Sequence, residues 1–489
     1  MWKEQGLLLF KTCRSSAVEA PGLGAAAVTV LERATVRDGH PFILGPDGSY
    51  DLQLNRFLRE LQGWGVRSVH SVEAYARDLT LFCRFLHQRR GGRSIWEVDQ
   101  DDLLAYRRAR REVDGFRISA STWNRFIAAV DKWAQWAVYE RLLAAVPFRY
   151  VDKTVLTPQG LVVVRINTAR EIDEESVPVR FLPYEDYLVW RDVGLRGQLP
   201  DGRPDPRWRG RNGERNGVFA DLLVGTGMRL TEAASLLVGE IPPLVERRLV
   251  GDLQLPSTIT KRSRARTVFV SRRTLRALHA YLDIERDELV QRKLAAGAYA
   301  RAGNVWPVRT ASRQAITLAG ERRARPYSRI TIEERQRLVR LDEDGRPGAP
   351  LWLWLGEDGQ PLRRATWQAA FQRANERCAR FGLDLAASPH TLRHTFAVHM
   401  LGLLLRQTVR ALQGQGQERA TLTGEQIKRL LIGDPLRKLQ LLLGHKHVGT
   451  IYVYLDVLDE AQEIVLSALR EWDEQSEALQ RVMVAEDVA

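Results

Sequence analysis

Cysteine is scarce: Cys13, Cys83 and Cys378 are the three in 489 residues, too few and too far apart for a disulfide framework or a thiolate metal site. They read as buried structural thiols, which makes a reducing cytoplasm, in association with the nucleoid, the expected compartment. Long apolar runs are missing as well. Nothing approaches the roughly 20 residues that cross a bilayer, and Leu7 to Phe10 is too short and too poorly flanked for a secretory signal, so no membrane partner is expected. No repeat of solenoid period is visible. Negative charge is the third shortage. Sixty acidic residues stand against 73 lysines and arginines, a net +13. In a chain without membrane features, that balance points to nucleic acid. The excess is bunched at Arg107, Arg108, Arg110 and Arg111, at 203–215, at 261–273 and at 322–340. Separate elements lining one polyanion would produce this bunching, although each cluster alone is compatible with a solvated helix face.

The length predicts two or three domains. Residues 1–50 are short apolar runs broken by glycine and proline, an extension of open role, with strands expected around Val28 to Leu31 and Phe42 to Leu44. From 51 to 150 the apolar spacing turns helical. Leu54, Leu58 and Leu61 mark one helix, and Tyr75, Leu79, Phe82 and Phe85 a second, with Ser71 and Glu73 at its expected start. Asp99 is placed to cap a third helix through Tyr106. A fourth runs from Ser119 to Leu143, carrying Phe126, Val130, Trp133 and Trp136 on one face, with Pro147 as its stop. Residues 151–180, with a strand at Leu161 to Ile166, read as a linker. A second domain opens near Leu182 and extends to about 460. It contains helices at 217–224, after Thr231 and at 364–381, strands at 253–255, 267–270 and 351–355, and insertions near 297–350 and 406–434. The first insertion is expected to carry a helix near 331–340. A helical tail, 461–489, closes the chain. The fold class is therefore mainly α with a small β-sheet, α+β.

Four stretches carry chemistry. In Gly225-Thr226-Gly227-Met228-Arg229-Leu230-Thr231-Glu232, two glycines permit a tight turn before a helix, and an arginine fixed there can fork two donors onto a phosphate. Glu232, one helical step on, can orient it. Lys261 sits on the turn between two strands, from which it can protonate a departing oxygen; Arg264 and Arg266 follow it. His390 and Arg393, three apart on one helix face, can address one phosphate. His394 and His399 invite a metal with His390, but no cysteine or acidic ligand accompanies them and no His-Glu-x-x-His pattern exists, so no metal is expected and His394 reads as support. His445 precedes Tyr452 and Tyr454; a tyrosine can attack phosphorus when a base and a cation-held phosphate are near. Two residues apart on a helix, the tyrosines would face different ways, so at most one is the nucleophile.

In this order, Arg229, Lys261, His390-Thr391-Leu392-Arg393-His394-Thr395-Phe396-Ala397, Leu443-Gly444-His445 and Tyr454 resemble the tyrosine recombinases, the integrase family, over roughly 180–460. The preceding bundle, with Tyr75-Ala76-Arg77-Asp78-Leu79 and Thr122-Trp123-Asn124-Arg125, looks like the family's core-binding domain. The resemblance implies a helical core-binding domain and a mostly helical catalytic domain forming a clamp on double-stranded DNA with specific target sites. It implies strand cleavage and rejoining through a 3′-phosphotyrosyl link, without cofactor, in a homotetramer assembled on DNA, for a mobile element. Arg229 and Arg393 would hold the scissile phosphate, and Lys261 would be the general acid for the 5′-hydroxyl. His390 would assist proton transfer from Tyr454, and His445 would hydrogen-bond the phosphate. Arg77, Arg107, Arg108, Arg125, Arg264 and Arg266 are the candidate DNA contacts. Tyr454 stands at the family's usual distance after the Gly-His pair, with Tyr452 as the alternative. The two insertions and Thr450-Ile451 depart from the family pattern. A type IB-like topoisomerase or a non-catalytic DNA-binding relative are the alternative readings.

Overall fold

The structure, a computed structural model, describes residues 7–13, 29–30, 33, 38–66, 68–113, 115–157, 160–171, 179–261, 264–299, 305–342, 344–414, 434–445 and 451–454. The chain divides into two compact units, 1–177 and 178–489, each with its own core.

In the first unit, β1 (Leu8–Lys11) pairs antiparallel with β2 (Pro41–Leu44), and Phe10 stacks on Phe42 at 5.6 Å. The strand expected at Val28 to Leu31 is not the partner: Thr29 and Val30 are helical, and the short apolar run upstream takes that place. Buried Asn55 brackets β2, donating from Nδ2 to the Ile43 carbonyl at 2.8 Å and accepting the Ile43 N–H at 2.7 Å. It sits on α1 (Leu52–Glu60), which Asp51 caps. Helix α2 (Val69–Arg89) begins after Ser68 rather than at the expected Ser71, which lies inside its first turn. Helix α3 (Gln100–Arg111) has the expected Asp99 cap but runs past Tyr106. Arg108, Arg110 and Arg111 occupy its last turn, where the helix dipole favours cations. The carboxylate of Asp102, wholly buried, completes that cap and accepts from Arg90 and Arg93 at 2.6 and 2.8 Å. Helix α4 (Ala120–Tyr139) stops short of Leu143 and Pro147, where Arg141 turns left-handed at φ 61°. Its Trp123, Trp133 and Trp136 are fully buried at the centre of this core.

The expected linker contains a hairpin, β3 (Tyr150–Thr157) and β4 (Gly160–Asn167). Just beyond β4 the chain is tied to α4: the Trp123 indole donates to the Ala169 carbonyl at 2.8 Å, and Asn124 exchanges two hydrogen bonds with the Glu171 backbone. These residues therefore belong to the first unit.

The second unit opens with α5 (Tyr184–Val189), which continues as a wider turn over Trp190–Leu195. Helix α6 (Gly213–Thr226) is mostly buried and delivers the chain to Gly227; α7 (Leu230–Ala234) follows. An antiparallel hairpin, β5 (Val250–Leu255) and β6 (Arg266–Ser271), has strict alternation of buried and exposed residues on β5. The stretch expected as an insertion is structural. Residues 305–350 contribute all five strands of one sheet, order β11-β10-β7-β8-β9, with β7 (Trp306–Ala311), β8 (Ala315–Leu318), β9 (Arg325–Pro326), β10 (Leu338–Leu341) and β11 (Pro347–Pro350). Val308, Ile316 and Leu338 enter the main core from it, and buried Arg335 pairs with Glu240 at 2.8 Å. The helix expected over 331–340 is a single turn, Ile332–Arg335, because the Leu338-Val339 pair is drawn into the sheet.

Leu351 to Leu355 is not a strand either; it makes only isolated bridges, Trp352 to Leu237 and Leu355 to Pro361. Arg286 accounts for part of this, donating to the carbonyls of Pro350, Trp352 and Leu353 that a neighbouring strand would otherwise engage. After the helix Arg364–Arg380, a 26-residue helix spans Pro389–Gly414, roughly 39 Å by the α-helical rise. It runs through 406, where an insertion was expected to begin. Residues 415–433 and the tail 461–489 lie outside the described residues. A helix at Asp434–Leu443 and a single 3₁₀ turn, Tyr452–Tyr454, complete a second, smaller core in this unit.

Candidate active site

Three breaks in the helical pattern of the second unit meet at one place. The first is the end of α6. Gly227 adopts φ 63°, the left-handed conformation that ends a helix, and a Cβ there would lie 2.3 Å from the Phe396 ring. The chain then turns through Arg229 into α7. The carboxylate of Glu232, 1% exposed, accepts the Arg229 backbone N–H at 2.8 Å and the Arg229 guanidinium at 3.1 Å. It also accepts both Nη groups of Arg266, at 2.8 and 2.6 Å. Burial alone would raise the Glu232 pKa, but the hydrogen bond and charge of Arg266, aided by Arg229, outweigh it and hold the pKa below the ordinary carboxylate value. Arg266 was read from the sequence as a DNA contact. Its side chain is 11% exposed and committed to Glu232, so it braces Arg229 from behind.

The second break is the start of the Pro389–Gly414 helix. The Ser388 hydroxyl accepts the Thr391 N–H at 3.1 Å and caps it. Arg393 is 2% exposed and donates to the carbonyls of Gly227 and, at 2.6 Å, Leu443. One guanidinium thus ties together the end of α6 and the segment before His445. Burial first, and then repulsion from Arg229, pull its pKa down to about 9, still protonated at neutral pH. His390 is exposed at the helix start. Its pKa is lowered by partial desolvation of its ring among the neighbouring side chains, then by Arg393, Arg229 and Lys261, which places all three cations within its electrostatic reach.

The third break follows the Asp434–Leu443 helix. Gly444 turns left-handed at φ 65° against the Arg266 side chain, and His445 follows. Burial, Arg393 and Arg229 lower the His445 pKa to about 4. Tyr454 then enters on the 3₁₀ turn, 2% exposed. Its hydroxyl is 3.1 Å from Nδ1 of His394. Burial raises the Tyr454 pKa against the pull of Arg393 and Arg229, so the phenol keeps its proton until a base removes it.

The structure therefore gathers Arg229, His390, Arg393, His445 and Tyr454 around one corner. Lys261 is exposed at its rim, without a hydrogen bond among the described residues. Among the described side chains, Tyr454 is the tyrosine whose hydroxyl contacts the cluster. Two side chains make contacts that sequence reasoning did not assign. His394, read as support, is the imidazole that touches the phenol, and Arg266 is a brace. The i, i+4 spacing of His390 and His394, whose rings stand 4.2 Å apart, was the available signal for the first. Nothing local signalled the second. Among the described residues, no three His, Cys, Asp or Glu side chains converge as a metal site would require. Of the remaining arginines read as DNA contacts, Arg125 forks onto buried Asp78 at 2.9 and 3.0 Å, Arg107 pairs with Glu171 at 2.9 Å and Arg77 with Glu73 at 3.4 Å. Arg108 and Arg264 are exposed. All except Arg264 lie in the first unit.

Residues 54–141 match the family described as phage integrase, N-terminal SAM-like domain, and residues 209–403 match the phage integrase family; together these cover more than half of the chain. A tyrosine recombinase XerC from Roseiflexus castenholzii is 27% identical over 412 residues, 84% of this chain and 90% of that protein. A tyrosine recombinase XerC from Herpetosiphon aurantiacus is 24% identical over 410 residues, 83% and 91% respectively. Among solved structures, the Tn1549 transposon integrase in complex with transposon right end DNA aligns over 85% of this chain and 98% of that one, at 13% identity and a TM-score of 0.43.

Proposed function

The chain belongs to the phage integrase family, the tyrosine recombinases, and from that premise we propose that it cuts and rejoins DNA through a covalent bond between Tyr454 and a 3′ phosphate. The observation that carries this reading is the arrival of a buried phenol, 60 residues downstream of His394, at a corner where Arg229 and Arg393 add to burial in lowering the pKa of His390 and His445. Among the described residues, such a corner has an excess of positive charge and no anion of its own beyond Glu232, which Arg266 already occupies. A phosphodiester supplies the missing charge.

In the proposed reaction Arg229 and Arg393 hold the two non-bridging oxygens, and their charge stabilises the phosphorane as it gains negative charge. His445 donates to the phosphate. The Tyr454 oxygen gives its proton to a neighbouring imidazole as it attacks phosphorus, the bond to the 5′ oxygen breaks, and Lys261 protonates that oxygen as it leaves. The ester conserves the energy of the broken bond, so a 5′-hydroxyl from another strand can reverse the step without a cofactor. Exchange between two duplexes requires several copies of the chain on DNA, and a tetramer on specific target sites of a mobile element is the assembly we propose.

The test is covalent capture. The full chain selects a binding site from a randomised duplex pool, and that site is then presented with a nick from which the 5′-hydroxyl fragment escapes. Wild type should form an adduct stable to denaturant, Tyr454→Phe none, and Tyr452→Phe about as much as wild type. No wild-type adduct would sink the enzymatic reading and leave a DNA-binding protein. Relaxation of supercoiled plasmid without joint products from paired sites would instead favour a topoisomerase-like outcome.

A further inference from the structure

We infer that His394, rather than His390, is the general base for Tyr454: it holds the phenol by a hydrogen bond and takes its proton as the oxygen attacks phosphorus. This rests on the phosphotyrosyl reading above and assigns it a residue. Three observations carry it. Nδ1 of His394 is the ring nitrogen 3.1 Å from the Tyr454 hydroxyl, within reach for direct transfer. Its ring lies between the other two, 4.2 Å from His390 and 5.6 Å from Tyr454, centroid to centroid. His390 instead stands exposed at the helix start, in the field of Arg229 and Lys261, where a phosphate would lie.

The charged and titratable groups facing His394 are His390 and Arg393 on its own helix, Tyr454 from the 3₁₀ turn, and His445 from the segment after the Asp434–Leu443 helix. With no anion bound, burial, His390 and Arg393 lower its pKa to about 4. It is therefore neutral, and the phenol can donate to Nδ1. A phosphodiester between Arg229 and Arg393 offsets those cations and raises the basicity of His394 as substrate arrives, so the base is armed by the group it serves. The balance is simple. The O–H bond of Tyr454 breaks and an N–H bond forms on His394, while the O–P bond forms, the bond to the 5′ oxygen breaks, and that oxygen receives a proton from Lys261. Rejoining runs the same transfers backwards.

The experiment uses the full chain and the nicked duplex described above, following the first-order rate of adduct formation. His394→Ala should be at least about 100-fold slower with DNA binding retained, and added imidazole should restore part of the rate. His394→Asn still offers the phenol an acceptor but cannot take a proton, and it should be equally slow. Replacing the bridging 5′ oxygen by sulfur, which leaves as a thiolate without protonation, should rescue Lys261→Ala but not His394→Ala. The inference is overturned if wild type reacts through Tyr454 and both His394 variants stay within about threefold of it. It is equally overturned if the slow alanine variant gains nothing from imidazole, or if the sulfur substrate restores it. Should the alanine variant fail to fold, the asparagine rate and its response to the sulfur substrate decide alone. An adduct that survives Tyr454→Phe would locate the failure in the underlying reading instead.

Discussion

Glu232→Gln is the sharpest probe of how the site is held. The substitution keeps volume, so no cavity is created, and changes only charge and donor pattern. The native carboxylate accepts four hydrogen bonds, two from Arg266 and two from Arg229, while 1% exposed. A glutamine offers one oxygen and turns an NH₂ group toward a guanidinium that also only donates. Arg266, 11% exposed, is then a buried cation without its partner. Removing one side of such a pair costs about 3–5 kcal/mol, because the remaining charge keeps its desolvation penalty. At the roughly 2 °C per kcal/mol expected for a unit of this size, the melting temperature should fall by about 6–10 °C.

Calorimetry of the full chain at neutral pH measures this, with two companions. Arg266→Met should be destabilised comparably, and the double variant Glu232→Leu/Arg266→Met should recover most of the loss, since neither desolvation penalty remains. The pH dependence has a fixed sign. The folded pKa of Glu232 lies below its unfolded value, so its stabilisation is complete above about pH 4.3 and is lost as pH falls through the folded pKa. The glutamine variant should lack that part of the acid limb. A Glu232→Gln melt within about 1 °C of wild type, or a double variant equal to the sum of the singles, would refute the reasoning.

Gly227→Ala should cost about 2–5 kcal/mol in denaturant titration, combining a left-handed backbone with a methyl 2.3 Å from the Phe396 ring. Sulfate or phosphate should raise the melting temperature of the DNA-free chain beyond chloride of equal ionic strength, and Arg393→Ala should abolish the difference. His394 and His445, with pKa values near 4 in the fold, are stabilising in their neutral form above about pH 6.5, and that contribution is lost as pH falls toward 4. Thermal melts between pH 7 and 4 should show the loss, and bound phosphate should blunt it.

What the sequence disclosed and what it withheld divide along one physical line. Helices announced themselves through local period and caps: Asp99 and Ser119 stand where the chain starts α3 and α4. The motifs around Arg229, His390 and Arg393 were legible because their residues are neighbours in sequence. Contacts closed across long separations were not. The five-stranded sheet read as an insertion because its strands are short and rich in arginine and proline. The 351–355 run looked like a strand because nothing near it in sequence reveals that Arg286, more than 60 residues earlier, engages its carbonyls. The contacts of Arg266 and His394 were hidden for the same reason. Each depends on a partner, Glu232 or Tyr454, that only the fold brings within 3.1 Å.

The helix that begins at Pro389 bears Arg393 and His394 as consecutive residues, one anchored in the core, the other at the Tyr454 hydroxyl. Their separation is set by one step of helical rise and rotation, a quantity no loop can alter. On the proposed mechanism, the spacing between the guanidinium that holds the phosphate and the imidazole that meets the phenol is therefore inherited from backbone geometry rather than tuned by its surroundings. A chain built this way can carry a five-stranded sheet between 305 and 350 without altering the step between Arg393 and His394.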